Sequence, residues 1–235
     1  GYAGANNGGI VHALEHGADY VLVLNNDTIV DNSLLSELVT VAESDPQVGI
    51  VGPMIFYYAD PDRIWYFADR QYRLLPFPRG LQKGKKYEGR FDAPMLVDYV
   101  STCAMLIKKQ VLQDVGMFQE RLFWYYEDPD FCCRARSAGY RIVAVPSARM
   151  WHKVSLTAKK APPFARYLRT RNRVIFYKQH PHGPHPVLTH IYLALDSVRV
   201  GALDLWRRDV DLLAPLVLGL YDGYCGNWDE LRYAS

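Results

Sequence analysis

The sequence predicts an α/β protein with a mostly parallel sheet, followed by a helical C-terminal extension. Three observations carry this. Short, mainly apolar runs of strand length at Asp19–Leu24, Val48–Met54 and Arg141–Val145 alternate with stretches of helical periodicity. Continuous apolar runs of that kind suit strands covered on both faces. Beyond Trp151-His152, three segments of helical character follow one another.

Taken in order, Ile10, Val11, Ala13 and Leu14 cluster at helical spacing within 3–17, and Gly17 stands at the C-cap position. The strand at 19–24 stops abruptly at Asn25-Asn26-Asp27-Thr28. A second helix, about 32–44, ends at Asp45-Pro46 and leads into the strand at 48–54. Residues 57–95 are rich in Tyr, Asp, Arg and Gly and read as an excursion carrying hairpins, with a short aromatic strand at Ile64–Phe67. Met95–Ile107 reads as one strand and Lys108–Val115 as a short helix ended by Gly116. Asp128–Ala138 reads as a helix with Asp128 as N-cap, Pro129 at N1 and Gly139 at its C-terminus. The last helices are expected at 163–179, 187–206 and 209–224, with the Pro/His segment His180–Pro186 as the break between the first two. The division expected from this pattern is 1–155 for the α/β domain and 156–235 for the helical extension.

The 235 residues are 49% hydrophobic and 22% charged, an ordinary globular composition that excludes a disordered or collagen-like chain. No run of about eighteen apolar residues offers a membrane-spanning helix, and no signal peptide is visible. The four cysteines, Cys103, Cys132, Cys133 and Cys225, form no C-x-x-C pair and are expected to be reduced thiols, as in a cytosolic protein. The net charge of +2 conceals a segregation. Between Asp130 and Asp196 there is no acid, while twelve Lys and Arg fall there. Segment 131–195 is therefore a candidate for meeting phosphate or an anionic lipid surface. Within it, Arg166, Arg169, Arg171 and Arg173 share one helix; a solvated surface is the competing explanation.

Three constellations could carry chemistry. Asp27 ends a strand, the place where open α/β sheets bind ligands, and a hard divalent cation on a phosphate needs only one or two protein carboxylates. The same Asn/Asp cluster could equally turn the chain and cap the next helix. Phe123-Trp124-Tyr125-Tyr126 runs directly into Glu127-Asp128, aromatic faces beside paired acids, which suits sugar binding and proton abstraction. N-capping accounts for Asp128 and Asp130 but not for Glu127 or the aromatic run. His152 gains weight as a ligand only if it converges with Asp27.

These segments together resemble the family 2 glycosyltransferases, the inverting enzymes of GT-A (Rossmann-like) fold, in particular their bacterial rhamnosyltransferase-like branch. The resemblance rests on GYAGANNGGI at 1–10, LNNDTIVD at 24–31, VDYVSTCAMLIKK at 97–109, VGMFQERLFWYYEDPDFCCRARSAGYRI at 115–142, VPSARMWHKVS at 145–155 and YLRTRNRVIFYK at 167–178, six motifs in the family's order.

What the resemblance implies is specific. Asp27, beside Asn26, matches the acid that holds Mg2+ or Mn2+ against the donor diphosphate, and His152 matches a histidine completing that metal site. Asn6, Asn7 and Gly8 match the loop and helix start near the nucleotide. Asp128 matches the catalytic base, with Glu127 orienting the acceptor. Thr102, Cys103, Trp124, Tyr125 and Tyr126 are expected around the sugar and acceptor; Thr102 stands where these proteins often have Gly, and Gln119 where Asp is usual. The implied reaction transfers a sugar, rhamnose being one option, from a dTDP- or UDP-sugar to a glycan or lipid-linked glycan hydroxyl with inversion, in envelope polysaccharide synthesis. No nucleic-acid partner is expected. The implied location is cytoplasmic, with 131–195 as the candidate contact to the inner face of the plasma membrane. In the family a βαβ unit of about thirty or more residues precedes the GYAGANN segment, so that unit is expected to be missing from this chain. The competing functions are a non-catalytic nucleotide- or carbohydrate-binding module and a sugar-phosphate nucleotidyltransferase.

Overall fold

The computed structural model describes residues 1–71, 78–80, 83–89, 91–154, 162–181, 186–226, 228 and 231. The sheet grows from the apolar runs. β1 (Tyr20–Leu24), β3 (Val48–Tyr57), β8 (Ala104–Lys108) and β9 (Arg141–His152) lie side by side in the order β1-β8-β3-β9, with β2 (Thr28–Val30) outside β9. β4 (Ile64–Tyr66) adds to β3 and β7 (Met95–Val97) to β9, while β5 (Asp69–Gln71) and β6 (Pro78–Gly80) form a separate hairpin. Side chains alternate between two buried faces. Ile50, Met54, Met105 and Ile107 face the layer of α1 (Tyr2–Glu15), α3 (Lys109–Val115) and α4 (Glu127–Ser137). Val51, Ile55, Leu106 and Val143 face α2 (Leu34–Glu43), which buries Leu34, Leu38 and Ala42 at helical spacing. This is the three-layer α/β arrangement that double-sided burial requires.

The strand directions are mixed. β1, β3 and β9 point the same way, but β8 is inserted antiparallel between β1 and β3, and β2, β4 and β7 also run antiparallel to their neighbours. Among the described strands β3–β9 is the parallel ladder. The reason lies in the segment read as one strand, Met95–Ile107. It breaks into β7 and β8 at Asp98–Cys103, so the chain leaves one edge of the sheet and re-enters between β1 and β3.

The C-terminal part consists of α5 (Pro162–Gln179), α6 (Pro186–Arg207) and α7 (Leu213–Cys225), within a few residues of the expected limits. The boundary expected at 155/156 and the centre of the His180–Pro186 break lie outside the described residues. α5 is packed, not appended: Tyr167, Leu168, Val174 and Ile175 are buried, and Phe176 and Tyr177 join Cys133 of α4 in one cluster. α7 meets α5 through Gly219 and Gly223, where an added Cβ would stand 2.7 Å from the Tyr167 carbonyl and 2.7 Å from Val174. The absence of side chains there lets the two backbones approach, and the Tyr167 hydroxyl donates to Asp222 at 2.7 Å across the same contact. Among the described residues no helix is long and apolar enough to cross a membrane.

Candidate active site

The topology brings four chain segments to one end of the sheet. β1 and β9 point toward it, so their C-terminal ends deliver Asn25–Asp27 and His152; antiparallel β8 starts there, delivering Thr102 and Cys103. α4, which precedes β9, presents its N-terminus at the same end. Backbone hydrogen bonds fasten the segments together, from the Asn25 amide to the Cys103 carbonyl (3.0 Å) and from the Lys153 amide to the Asp27 carbonyl (2.9 Å).

His152 lies within β9 and pairs in register with Thr28 of β2. Its Nε2 is 3.1 Å from Asp27 Oδ1, and its ring meets Trp65 edge-on with centroids 4.3 Å apart. Burial pushes the His152 imidazole below its ordinary value, partly opposed by the Asp27 carboxylate, so it is held neutral. Asp27 Oδ2 and His152 Nδ1 are buried without a hydrogen-bond partner. An orphaned carboxylate oxygen beside a neutral imidazole fits a divalent cation. Among the described residues no group of three His, Cys, Asp or Glu side chains forms a complete cage, so phosphate oxygens and water would have to supply the remaining ligands.

The carboxylate pair opens α4. Glu127 is 4% exposed, its Oε1 is 3.5 Å from the Thr102 hydroxyl, and its Oε2 has no partner. Asp128 beside it is half-buried. Burial raises both carboxyls well above the usual range; the Asp128 charge raises Glu127 further, while the amides of Asp128 and Thr102 act to lower Asp128. The Cys103 thiol is raised first by burial and then by the charges of Asp27 and Asp128. One protonated thiol therefore lies within the field of both acidic centres.

Asp128 is not the N-cap the sequence suggests. Tyr126 occupies that position in a left-handed conformation, and Glu127 and Asp128 fall in the first turn. Phe123, Tyr125 and Tyr126 all have positive φ, 60°, 69° and 71°, a strain of about 1 kcal/mol or more each of the kind that persists at functional sites. The aromatic run then divides. Trp124 and Tyr125 stack at 4.2 Å with Arg169 over Tyr125, while Phe123 packs on Phe164 and Tyr126 on Phe176.

The N-terminal residues lie in the helix that the sequence suggests over 3–17. Asn6 and Asn7 lie inside α1; Asn6 bonds the Tyr2 carbonyl, and Asn7 is buried, exchanging hydrogen bonds with Phe118 and donating to Glu120. Gly8 and Asn26 are exposed. Tyr2, which no pattern in the sequence singles out, reaches the site instead: its hydroxyl lies 2.9 Å from Asn25 Oδ1 and 3.0 Å from the Thr102 carbonyl. Asp69, Tyr66 and Tyr99 are equally silent in the sequence. Asp69 lies within reach of both phenols and of Asp128, and the composition of the excursion at 57–95 gives no sign of it.

The acid-free stretch is not a free basic surface. Arg134 pairs with Asp130, Arg136 with Asp98, Arg141 with Asp45, Arg166 with Asp204 and Arg173 with Asp196, and Arg171 is buried. Segregation along the sequence becomes neutralisation in space because α6 and the turns carrying Asp45 and Asp98 fold back against it. Cys103, Cys132 and Cys133 are buried and Cys225 is exposed, all as free thiols.

Comparison with known proteins follows the same lines. The family model described as glycosyltransferase like family 2 matches residues 4–176. The dTDP-rhamnosyl transferase RfbF of Shigella flexneri is 24% identical over 243 residues, covering 99% of this chain and 78% of the relative. The N-acetylglucosaminyl-diphospho-decaprenol L-rhamnosyltransferase of Mycobacterium tuberculosis is 30% identical over 156 residues, 61% of this chain and 50% of that protein. Among solved structures, the mannosyltransferase PcManGT of Pyrobaculum calidifontis in complex with GDP-Man and Mn2+ superposes with a TM-score of 0.50 at 15% identity, over 96% of this chain and 67% of that one.

Proposed function

The chain belongs to the glycosyltransferase like family 2, an α/β glycosyltransferase of GT-A fold, and from that premise we propose that this site moves a hexosyl group, rhamnose first among the options, from a dTDP- or UDP-sugar to a hydroxyl of a glycan or lipid-linked glycan, inverting the anomeric centre. The observation that carries the reading is the convergence of the Asp27–His152 pair and the Glu127–Asp128 pair on Thr102 and Cys103.

Asp128 accepts the proton of the attacking hydroxyl. Its half-buried position and raised affinity for a proton suit a general base working near neutral pH. Glu127, more deeply buried, orients the acceptor through Oε2. The stacked Trp124 and Tyr125 offer a flat apolar face to a sugar ring. Asp27 and His152 would hold Mg2+ or Mn2+, whose charge offsets that of the departing diphosphate. Tyr2 fixes Asn25 and the Thr102 carbonyl, so the floor between the two pairs does not move during transfer. A peripheral contact of 131–195 with an anionic membrane belongs to the same reading, narrowed by the arginine pairings to its lysines with Arg149 and Arg169, and salt-sensitive sedimentation with anionic vesicles tests it.

The decisive experiment is transfer from a panel of labelled nucleotide-sugars with the wild type and Asp128→Asn. Loss of transfer with nucleoside diphosphate binding retained supports the assignment, and full activity of the variant removes it. Incubation with sugar 1-phosphate and nucleoside triphosphate distinguishes a nucleotidyltransferase by pyrophosphate release.

A further inference from the structure

The loop that delivers the carboxylate pair is held from behind by the C-terminal helix. Asn172 of α5 is fully buried, and its side-chain amide donates to the carbonyls of Leu122 (2.6 Å), Trp124 (2.9 Å) and Tyr125 (2.9 Å). Its carbonyl oxygen accepts from Arg171 Nη1 at 2.9 Å, and the same nitrogen donates to the Arg121 carbonyl at 3.0 Å. The remaining carbonyl of the loop, that of Phe123, accepts from the Ala3 amide of α1 at 3.1 Å. Every backbone carbonyl from Arg121 to Tyr125 therefore has a partner, and four of the five are held by the Arg171–Asn172 pair.

The loop needs such a fixture. Three of its residues stand at positive φ without being glycine, and such conformations survive only where the surroundings over-determine them. An amide suits this role, because its two N–H groups, one of them shared, reach three loop carbonyls, of which that of Leu122 also accepts the Trp124 amide. Tyr126 ends the loop and Glu127 follows at once, so the orientation of the loop fixes the direction in which α4 presents its first turn.

We propose that Asn172, braced by Arg171, is a positioning residue for transfer: it holds the 121–125 loop in its left-handed path and so sets where Asp128 and the Trp124–Tyr125 platform stand. The C-terminal helix is on this account a working wall of the site, placed 44 residues beyond Asp128 in sequence. The transfer part of the proposal rests on the function proposed above; the clamp does not.

The test uses Asn172→Ala and the milder Asn172→Ser in the whole chain, which keeps the question answerable if the alanine variant does not fold. Hydrogen exchange is read at the amides of 121–128 and, as a control, of β3 and β9. Expected is exchange at least tenfold faster in the loop with the sheet unchanged, a kcat lower by 10- to 100-fold, and a donor KM within about threefold. Unchanged loop exchange overturns the clamp. Equal acceleration in β3 and β9 reduces Asn172 to a general packing residue and overturns it as well. Faster loop exchange with an unchanged kcat overturns the positioning role. Asp128→Asn is assayed alongside: if it transfers at full rate, the proposed function fails while the exchange data still decide the clamp.

Discussion

His152 Nε2 lies 3.1 Å from Asp27 Oδ1 although 125 residues separate them in sequence. The contact arises because β2 and β9 are neighbours: Thr28 and His152 occupy the same rung, and Asp27 immediately precedes it. The Lys153 amide bonds the Asp27 carbonyl, locking the backbone on the other side of the pair.

From this pair follows a metal prediction. On the proposed metal site, His152→Ala would leave Asp27 alone to hold the cation and removes the edge contact with Trp65. The Mn2+ concentration for half-maximal nucleoside diphosphate binding should rise at least tenfold, and Asp27→Asn should do the same or more. Calorimetric titration of the protein with Mn2+ and nucleoside diphosphate measures both; an unchanged midpoint would move the metal away from these residues.

A second prediction concerns pH and rate. Both members of the Glu127–Asp128 pair bind protons more tightly than ordinary carboxylates because burial disfavours the charged form. The base must be ionised to act, so activity should fall on acidification from near neutral pH, well before an exposed carboxylate would protonate. Asp128→Asn should lower kcat by roughly 100- to 10,000-fold and abolish this limb of the kcat/KM profile. A profile flat down to pH 5 in the wild type would contradict it.

Stability should move in the opposite sense. A carboxyl raised in the folded state stays protonated there while its unfolded counterpart ionises, so its contribution to stability falls as pH rises from the unfolded value to the folded one. Glu127→Gln removes this penalty. The variant should match the wild type at pH 4 and exceed it at pH 8 by about 1–3 kcal/mol, a few degrees in melting temperature for a chain of this size. Thermal denaturation at the two pH values decides it.

The α5–α7 contact gives a packing prediction. In Gly219→Ala the new Cβ meets the Tyr167 carbonyl at 2.7 Å, a backbone atom with no freedom to move aside. We expect a loss of about 1–3 kcal/mol. Gly8→Ala, whose Cβ meets nothing within 4 Å, should be neutral or slightly stabilising within α1. Denaturant unfolding of both variants makes the comparison.

Much of the fold was legible because it follows local rules. The apolar runs of β1 and β3 and the three final helices lie within a few residues of where periodicity and capping put them, while β9 starts at Arg141 as expected but runs past Val145 to His152. The elements that sequence misplaced are those decided by distant partners. Met95–Ile107 reads as one strand, yet its middle turns at Asp98–Cys103 to cross the sheet. Asp128-Pro129 is a good local helix start, yet α4 begins at Glu127 because Asn172 and Ala3 hold the preceding loop in a path no local preference would choose. Asn7, which the resemblance matches to the segment near the nucleotide, is tied by hydrogen bonds to Phe118 and Glu120, partners that its neighbours in sequence do not reveal.

The sequence by itself determined the class of protein and the chemical types at its site: an α/β framework, one acid at a strand end, a carboxylate pair after an aromatic run, and a histidine beyond the last strand it reads. Those features are written in neighbouring residues, where periodicity and side-chain chemistry are local. The tertiary structure decided which of them meet. It joined Asp27 to His152 through strand pairing, set Thr102 and Cys103 between the two acidic centres by reversing β8, and paired the arginines of the acid-free stretch with Asp196 and Asp204. Electrostatic fields and hydrogen bonds act over a few ångströms of space whatever the distance along the chain, and only folding establishes which groups share those few ångströms.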